Sequence, residues 1–118
     1  MLIVTVTLNT SVDRTVAVPG FAIGTHLKGT LVSCQPAGKG VNVSRGLAGL
    51  GVPSVVAGFV GQREATWFHD SFADLPATVA LTPVDSSTRT CTTLLDPTSG
   101  TDTHVREAGP TVGPHHVA

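Results

Sequence analysis

Pro36-Ala37-Gly38-Lys39-Gly40-Val41-Asn42-Val43-Ser44-Arg45 is the pivot of this sequence. Its first half, Pro36 to Gly40, has neither strand nor helix propensity and reads as a flexible loop. From Val41 to Leu50 the apolar residues Val43, Leu47 and Leu50 recur at helical spacing, and Gly51 and Pro53 stop the helix. Two glycines at a helix entry let backbone approach a ligand closely, and the helix N-terminus adds free N–H groups and positive potential. Asn42, in the first turn, can both donate and accept hydrogen bonds toward a hydroxylated ligand. The segment is not a Walker A loop, because Lys39 is followed by Gly40 and no glycine precedes it at the required interval. Nor is it a GxGxxG dinucleotide fingerprint, since position 43 is Val. The plain alternative is a turn with a capping glycine.

Working outward, Leu2 to Leu8 is a β-branched apolar run suited to a strand covered on both faces. Thr15–Val18 and Leu27–Ser33, joined by a turn over Pro19–Gly24, read as a partly exposed antiparallel pair. Ser54–Val60 predicts a second buried strand. Arg63–Leu75 predicts a helix with Trp67, Phe68, Phe72 and Leu75 on one face. The pattern then returns to β at Val79–Thr82, Thr90–Leu95 and Thr101–Arg106, with Asp96-Pro97-Thr98-Ser99-Gly100 as the last turn. Strand, loop, helix, strand, helix is the beginning of a doubly wound α/β sheet, and the extra Thr-rich strands suggest a smaller antiparallel layer beside it.

Composition narrows the function. The chain has 118 residues, of which 41% are hydrophobic, which excludes a disordered chain. Only 13% are charged, against about 25% in a typical soluble domain. Either Thr and Ser supply the polar surface, or part of the surface awaits a partner. A net charge of −1 with seven dispersed Lys and Arg argues against nucleic acid. No apolar run is long enough to cross a membrane as a helix. The opening reads as a strand rather than a signal peptide, so a cytoplasmic location is expected. Cys34 and Cys91 are then reduced and read as small buried hydrophobes. His104, His115 and His116 lack metal-ligand spacing with a Cys or carboxylate cluster, so no metal site is assigned.

Two further segments can carry chemistry. Ligands of open α/β sheets bind beyond the carboxyl ends of the strands, and Asn9, Ser11 and Asp13 lie just past such an end. Asp13 there either accepts hydrogen bonds from sugar hydroxyls or caps a turn. Arg89, between two β segments, is either an anion clamp or a solvated surface residue.

These segments occur together, in this order, in one family. TLNTSVDRT (7–15) resembles the opening strand and loop of the ribokinase/PfkB sugar kinases, in the branch of 1-phosphofructokinase and tagatose-6-phosphate kinase. AGKGVNVSRGLAGLGV (37–52) resembles that branch's GGKGxNVSRxLxxLGx signature. SSTRT (86–90) resembles its later TR strand, and GPTVGP (109–114) its Gly-Pro segment. The resemblance implies the N-terminal part of a ribokinase-like doubly wound sheet with a small antiparallel β lid. Lid strands are expected at approximately 14–34 and 90–106, and the α/β part at approximately 1–9 and 39–82. Asp13 matches the family's sugar-hydroxyl acceptor. Gly38, Lys39 and Asn42 match the loop and helix start that hold the phosphosugar, and Arg89 a contact to its phosphate. Lys28 is the candidate basic residue of the lid.

The chain departs from the pattern at Thr10-Ser11, where the branch has Pro-Ala, and at Ala37, where it has the first glycine of GGKG. Gly61-Gln62-Arg63-Glu64 replaces a segment richer in glycine. The family's Gly-Ala-Gly-Asp loop, which bears the catalytic base, has no counterpart, so no catalytic residue is assigned. The resemblance thus implies the phosphosugar-binding portion of an ATP-dependent kinase acting on fructose 1-phosphate or tagatose 6-phosphate. ATP and Mg2+ belong to the complete enzyme and are not expected on this chain alone, which is expected to be inactive. A homodimer through the lid is the expected assembly. The alternative is a stand-alone phosphosugar-binding or lid-mediated interaction module, or a fragment without function.

Overall fold

A computed structural model describes residues 1–117. In chain order the elements are β1 (Val4–Thr7), β2 (Ser11–Ala17), β3 (Thr30–Ala37), α1 (Lys39–Gly49) and β4 (Ser54–Gly61). There follow α2 (Ala65–Asp70), β5 (Ala77–Val84), β6 (Arg89–Asp96), β7 (Thr101–Arg106) and a 3-10 turn at Pro114–His116. They form two sheets: a parallel one of order β1-β4-β5, and a second of order β3-β2-β6-β7. The radius of gyration is 16.2 Å, against about 13 Å for a compact chain of this length, because the second sheet projects from the first.

The parallel sheet carries both helices on one face, where Val41 of α1, Val56 and Val60 of β4, and Phe68 and Phe72 near α2 form the core. Two successive right-handed crossovers in the same direction put α1 and α2 on the same side. Beneath α1 the usual polarity of a strand is reversed. Thr5 and Thr7 point inward, while Val4 and Val6 are 48% and 61% exposed. The buried hydroxyls satisfy one another: Thr5 Oγ1 lies 2.7 Å from Ser44 Oγ, and Ser54 Oγ donates to Ser44 Oγ at 2.8 Å. Thr7 Oγ1 accepts the Val41 N–H at 3.1 Å, which takes up one orphan amide of the first helical turn. The expectation of a strand covered on both faces is therefore corrected for β1. One face is paired with α1 through Thr side chains, and the valine face is open.

The expected second helix is shorter than its apolar pattern. Only 65–70 is α-helical, and Phe72, Ala73 and Leu75 continue with N–H bonds to the carbonyl three residues back. Phe68 and Phe72, four residues apart, take the inward side. Trp67 precedes Phe68 by about 100° of helical rotation and is 39% exposed, so it leaves the expected apolar face.

The second sheet also corrects the expectation. β2 pairs antiparallel with β3, and β6 with β7, but β2 and β6 are parallel. Both strands leave the same end of the first sheet, β2 after β1 and β6 after β5, so they run outward side by side. The antiparallel neighbours are their returning partners. Asp96 fastens the far end. Its Oδ1 accepts the N–H groups of Gly20 and Thr98 at 2.9 Å each, and its Oδ2 accepts Ser99 Oγ at 2.8 Å. The Gly20 and Ser99 bonds, with the others around them, hold its carboxyl below the usual carboxylate range.

The expected loop at 36–40 contracts to one residue. Pro36 and Ala37 finish β3, and Lys39 already opens α1. Gly38 makes the change of direction alone, with φ 140° and ψ 156°, and a Cβ there would lie 2.7 Å from Thr7 Cγ2. Gly58 answers a second close approach: at φ 133°, a Cβ would run into the Thr7 carbonyl across the β1–β4 pair.

Candidate functional site

The angle between the two sheets encloses a cleft of about 460 Å³. Gly38, with Lys39 and Asn42 of α1, lines it on one side. Ser11 and Asp13 of β2, Arg89, Cys91, Thr92 and Thr93 of β6 and His104, Val105 and Arg106 of β7 line it on the other. The alternation of strand side chains accounts for most of this set, because residues two apart on β2, β6 and β7 share the cleft face, and the paired Thr92 and Val105 lie between them. Register completes it: Ser11 stands opposite Arg89, Asp13 opposite Cys91, and Cys91 opposite Arg106.

The wall made by α1 offers backbone donors. Asn42 N–H bonds the Gly38 carbonyl at 2.8 Å and Val41 N–H bonds Thr7 Oγ1. The first-turn amides of Lys39 and Gly40 have no intrahelical acceptor and lie at the positive end of the helix dipole. Arg45 steadies this junction from behind. Its Nη2 donates to the Pro36 carbonyl at 3.1 Å, and its guanidinium lies 4.6 Å from the Phe72 ring centroid. Burial lowers its proton affinity, yet a guanidinium stays charged at neutral pH.

Arg89 is held where the two sheets meet. It donates to the carbonyls of Asn9 at 3.2 Å, and of Thr10 and Glu107 at 3.4 Å each. Glu107 Oε1 in turn accepts the Thr90 N–H at 3.0 Å. Asp13 Oδ1 accepts Ser11 Oγ at 2.7 Å, and the carboxylate retains further acceptor capacity toward the cleft. Three cations, Lys39, Arg89 and Arg106, thus face one carboxylate in a chain whose net charge is −1. Such a cleft favours a small hydroxylated anion.

Five of the six residues singled out in the sequence, Asp13, Gly38, Lys39, Asn42 and Arg89, therefore line one cleft. Lys28 does not: it stands exposed in the connection between β2 and β3. Ser11 stands out in the sequence only as a neighbour of Asp13, and Cys91, His104 and Arg106 do not stand out there as site residues. The signal for these is the period of two along β6 and β7, readable only once the pairing of those strands is known. The expectation of two buried cysteines is also corrected, since Cys34 is exposed and Cys91 is half-buried in the cleft wall.

Away from the cleft, Asp85 comes together with His115 and His116, about thirty residues further along the chain. Asp85 Oδ2 lies 3.5 Å from His115 Nε2 and 3.8 Å from His116 Nε2. His116 Nδ1 accepts the Gly113 N–H at 2.9 Å. A neutral ring so bonded keeps its proton on Nε2, which removes the lone pair a metal ion needs there.

Comparison with known proteins points in the same direction. The chain is 35% identical over 112 residues to 1-phosphofructokinase of Rhodobacter capsulatus, an alignment covering 95% of this chain and 35% of that protein. It is 30% identical to tagatose-6-phosphate kinase of Staphylococcus epidermidis, over 94% of this chain and 35% of the relative. The chain therefore spans about a third of the length of the curated relatives it matches. Among solved structures, a possible 1-phosphofructokinase of Thermotoga maritima superposes with a TM-score of 0.84 at 30% identity, covering 99% of this chain and 38% of that one. Phosphofructokinase-2 of Escherichia coli, solved with substrates and products, superposes at 0.90 with 24% identity over 99% of this chain and 38% of that one, a likeness of fold. Residues 3–112 match the family described as pfkB family carbohydrate kinase, and the chain belongs to that family, with part of a ribokinase-like α/β domain as its fold.

Proposed function

We propose that this chain is the phosphosugar-holding part of an ATP-dependent kinase. In the complete enzyme a phosphoryl group passes to a hydroxyl of a sugar phosphate of the fructose 1-phosphate or tagatose 6-phosphate type. The observation that carries this reading is the convergence of Asp13, Gly38, Lys39, Asn42 and Arg89 on one polar cleft. The relatives named for those two substrates support it.

Each residue has a task that its surroundings suit. Asp13, with acceptor capacity left after its bond from Ser11, receives sugar hydroxyls. Gly38 lets the ligand meet the backbone without a side chain between them. The Lys39 and Gly40 amides, the Lys39 ammonium and the Arg89 guanidinium attract the phosphate. Asn42 orients the hydroxyls. The β2-β3-β6-β7 sheet acts as a cover that limits water at the ligand.

ATP brings the transferable phosphoryl group and Mg2+ neutralises its charge in the complete enzyme. The cleft does not suit the metal, because its one carboxylate stands among three cations. No base for the acceptor hydroxyl is assigned here, and the chain alone is inactive in this reading. A homodimer through the exposed outer strands of the lid, and a cytoplasmic setting in which the free Cys34 and Cys91 stay reduced, belong to the same proposal.

Calorimetry tests it with the 118-residue chain, comparing fructose 1-phosphate with fructose for the parent and for Arg89→Ala. Binding that needs the phosphate and weakens in Arg89→Ala is expected. Equal or absent response to both ligands contradicts the reading, and ATP-dependent phosphorylation by the chain alone contradicts its inactivity.

A further inference from the structure

We infer that Asn9 is a positioning residue for Arg89. Its side chain ties the exit of β7 to the β1–β2 connection, so that backbone carbonyls from both fix the guanidinium at the cleft. The inference rests on the phosphosugar reading of the cleft. It goes beyond that reading in giving a task to Asn9 and to Gly109, neither of which lines the cleft.

The guanidinium sets the requirement. Arginine carries five N–H donors, and Arg89 directs three of them at carbonyls: Nε at Thr10, Nη1 at Glu107 and Nη2 at Asn9. Two remain for a ligand in the cleft that Arg89 lines, the number a bidentate contact to phosphate uses. The direction of that pair is only as fixed as the three carbonyls are relative to one another. Two of these, on Asn9 and Thr10, belong to the connection between β1 and β2, and the third belongs to the residue after β7.

Asn9 joins these two pieces of chain. While its carbonyl accepts Arg89 Nη2 at 3.2 Å, its Nδ2 donates to the Ala108 carbonyl at 2.9 Å, one residue beyond Glu107. This bond is shorter than any of the three that Arg89 makes. Gly109 completes the contact: at φ 96°, a Cβ there would run into the Asn9 carboxamide. Glu107 Oε1, which accepts the Thr90 N–H, fastens the same segment to β6 but not to the β1–β2 connection. Alanine at position 9 keeps the carbonyl and loses the tie, which leaves Nη1 and Nη2 with acceptors that move independently.

Calorimetry with fructose 1-phosphate and fructose compares the parent chain with Asn9→Ala, Arg89→Ala and the double variant. Asn9→Ala is expected to weaken fructose 1-phosphate binding by about three- to ten-fold, the value of one neutral hydrogen bond, and to leave fructose unchanged. In the Arg89→Ala background the same substitution has no further effect, because Asn9 acts through Arg89. NMR of the unliganded chain, isotopically labelled at arginine nitrogen, adds a readout that needs no ligand. The Arg89 Nε–H, protected by its bond to Thr10, exchanges several-fold faster in Asn9→Ala. Gly109→Ala disturbs the tie from its other side and is expected to show the same two changes. Parent-like affinity or unchanged Nε–H exchange in Asn9→Ala, beside a loss in Arg89→Ala, overturns the inference and leaves the cleft reading standing. Losses that add in the double variant, or that fall equally on fructose, assign Asn9 a role apart from Arg89 and also overturn it. If Arg89→Ala binds like the parent, or the parent binds no fructose 1-phosphate, the cleft reading itself fails and the inference falls with it.

Discussion

Replacing Gly38 by Ala tests whether one backbone turn holds the two sheets around the cleft. Gly38 has φ 140° and ψ 156°, a region open essentially to glycine alone, where another residue costs about 1–3 kcal/mol. The new Cβ would also stand 2.7 Å from Thr7 Cγ2, on a β1 strand pinned by its bond to the Val41 N–H. Relieving that contact moves either β1 or the start of α1, for a combined cost of about 2–4 kcal/mol. For a chain of this length 1 kcal/mol is about 4 °C, so the melting temperature should fall by roughly 8–16 °C. Gly46→Ala is the matched control. Gly46 lies exposed within α1 without a positive φ, and beyond the helix's own backbone no atom comes within 4 Å of where a Cβ would stand. Alanine there should stabilise by about 0.5–1 kcal/mol. Calorimetric melting of the two variants beside the parent gives the comparison. Equal melting of Gly38→Ala and the parent, or a fall in Gly46→Ala as large as that in Gly38→Ala, refutes the reasoning.

Ser44→Ala leaves the Thr5 and Ser54 hydroxyls without their common partner beneath α1, and urea unfolding should read a loss of about 1–3 kcal/mol. A loss below about 0.3 kcal/mol would mean that water enters the site in its place. Asp96 has a folded pKa below its unfolded one, so its contribution is present at neutral pH and disappears as pH falls below about 4 through the folded value. The stability gap between the parent and Asp96→Asn should therefore narrow on acidification, and a gap that is constant with pH contradicts the clasp. Cys91 faces the cleft and Cys34 does not, so fructose 1-phosphate should slow alkylation at Cys91 and leave Cys34 unchanged in peptide mass spectrometry. Protection of both thiols, or of neither, counts against ligand in the cleft.

The parts of the fold legible in the sequence are those with a local cause. The Val41–Leu50 periodicity and its Gly51 stop mark α1 to within two residues at its start, and Ser54–Val60 marks β4. The loop at 36–40 is shorter than its composition suggests because a single strained glycine can turn a strand into a helix, which propensity does not register. The parallel pairing of β2 with β6 joins segments far apart in the chain, so no local pattern carries it. Trp67 leaves the apolar face because it stands about 100° of helical rotation from Phe68, and packing of Phe68 and Phe72 against Val56 and Val60 of the sheet, which local spacing does not register, decides which of the neighbours points inward. The low charge also has a structural counterpart, since β1 presents Val4 and Val6 on an uncovered face. In the cleft, residues within motifs are legible in the sequence, whereas Cys91, His104 and Arg106 require register.

The most direct measurement is an amide NMR titration of the isotopically labelled chain with fructose 1-phosphate, with fructose as reference. The account predicts phosphate-dependent shifts concentrated at Gly38, Lys39, Gly40 and Asn42 and at Arg89, Cys91 and Arg106. Shifts centred instead on the α2 side, around Val60, His69 and Leu81, or none at saturating ligand, would contradict it.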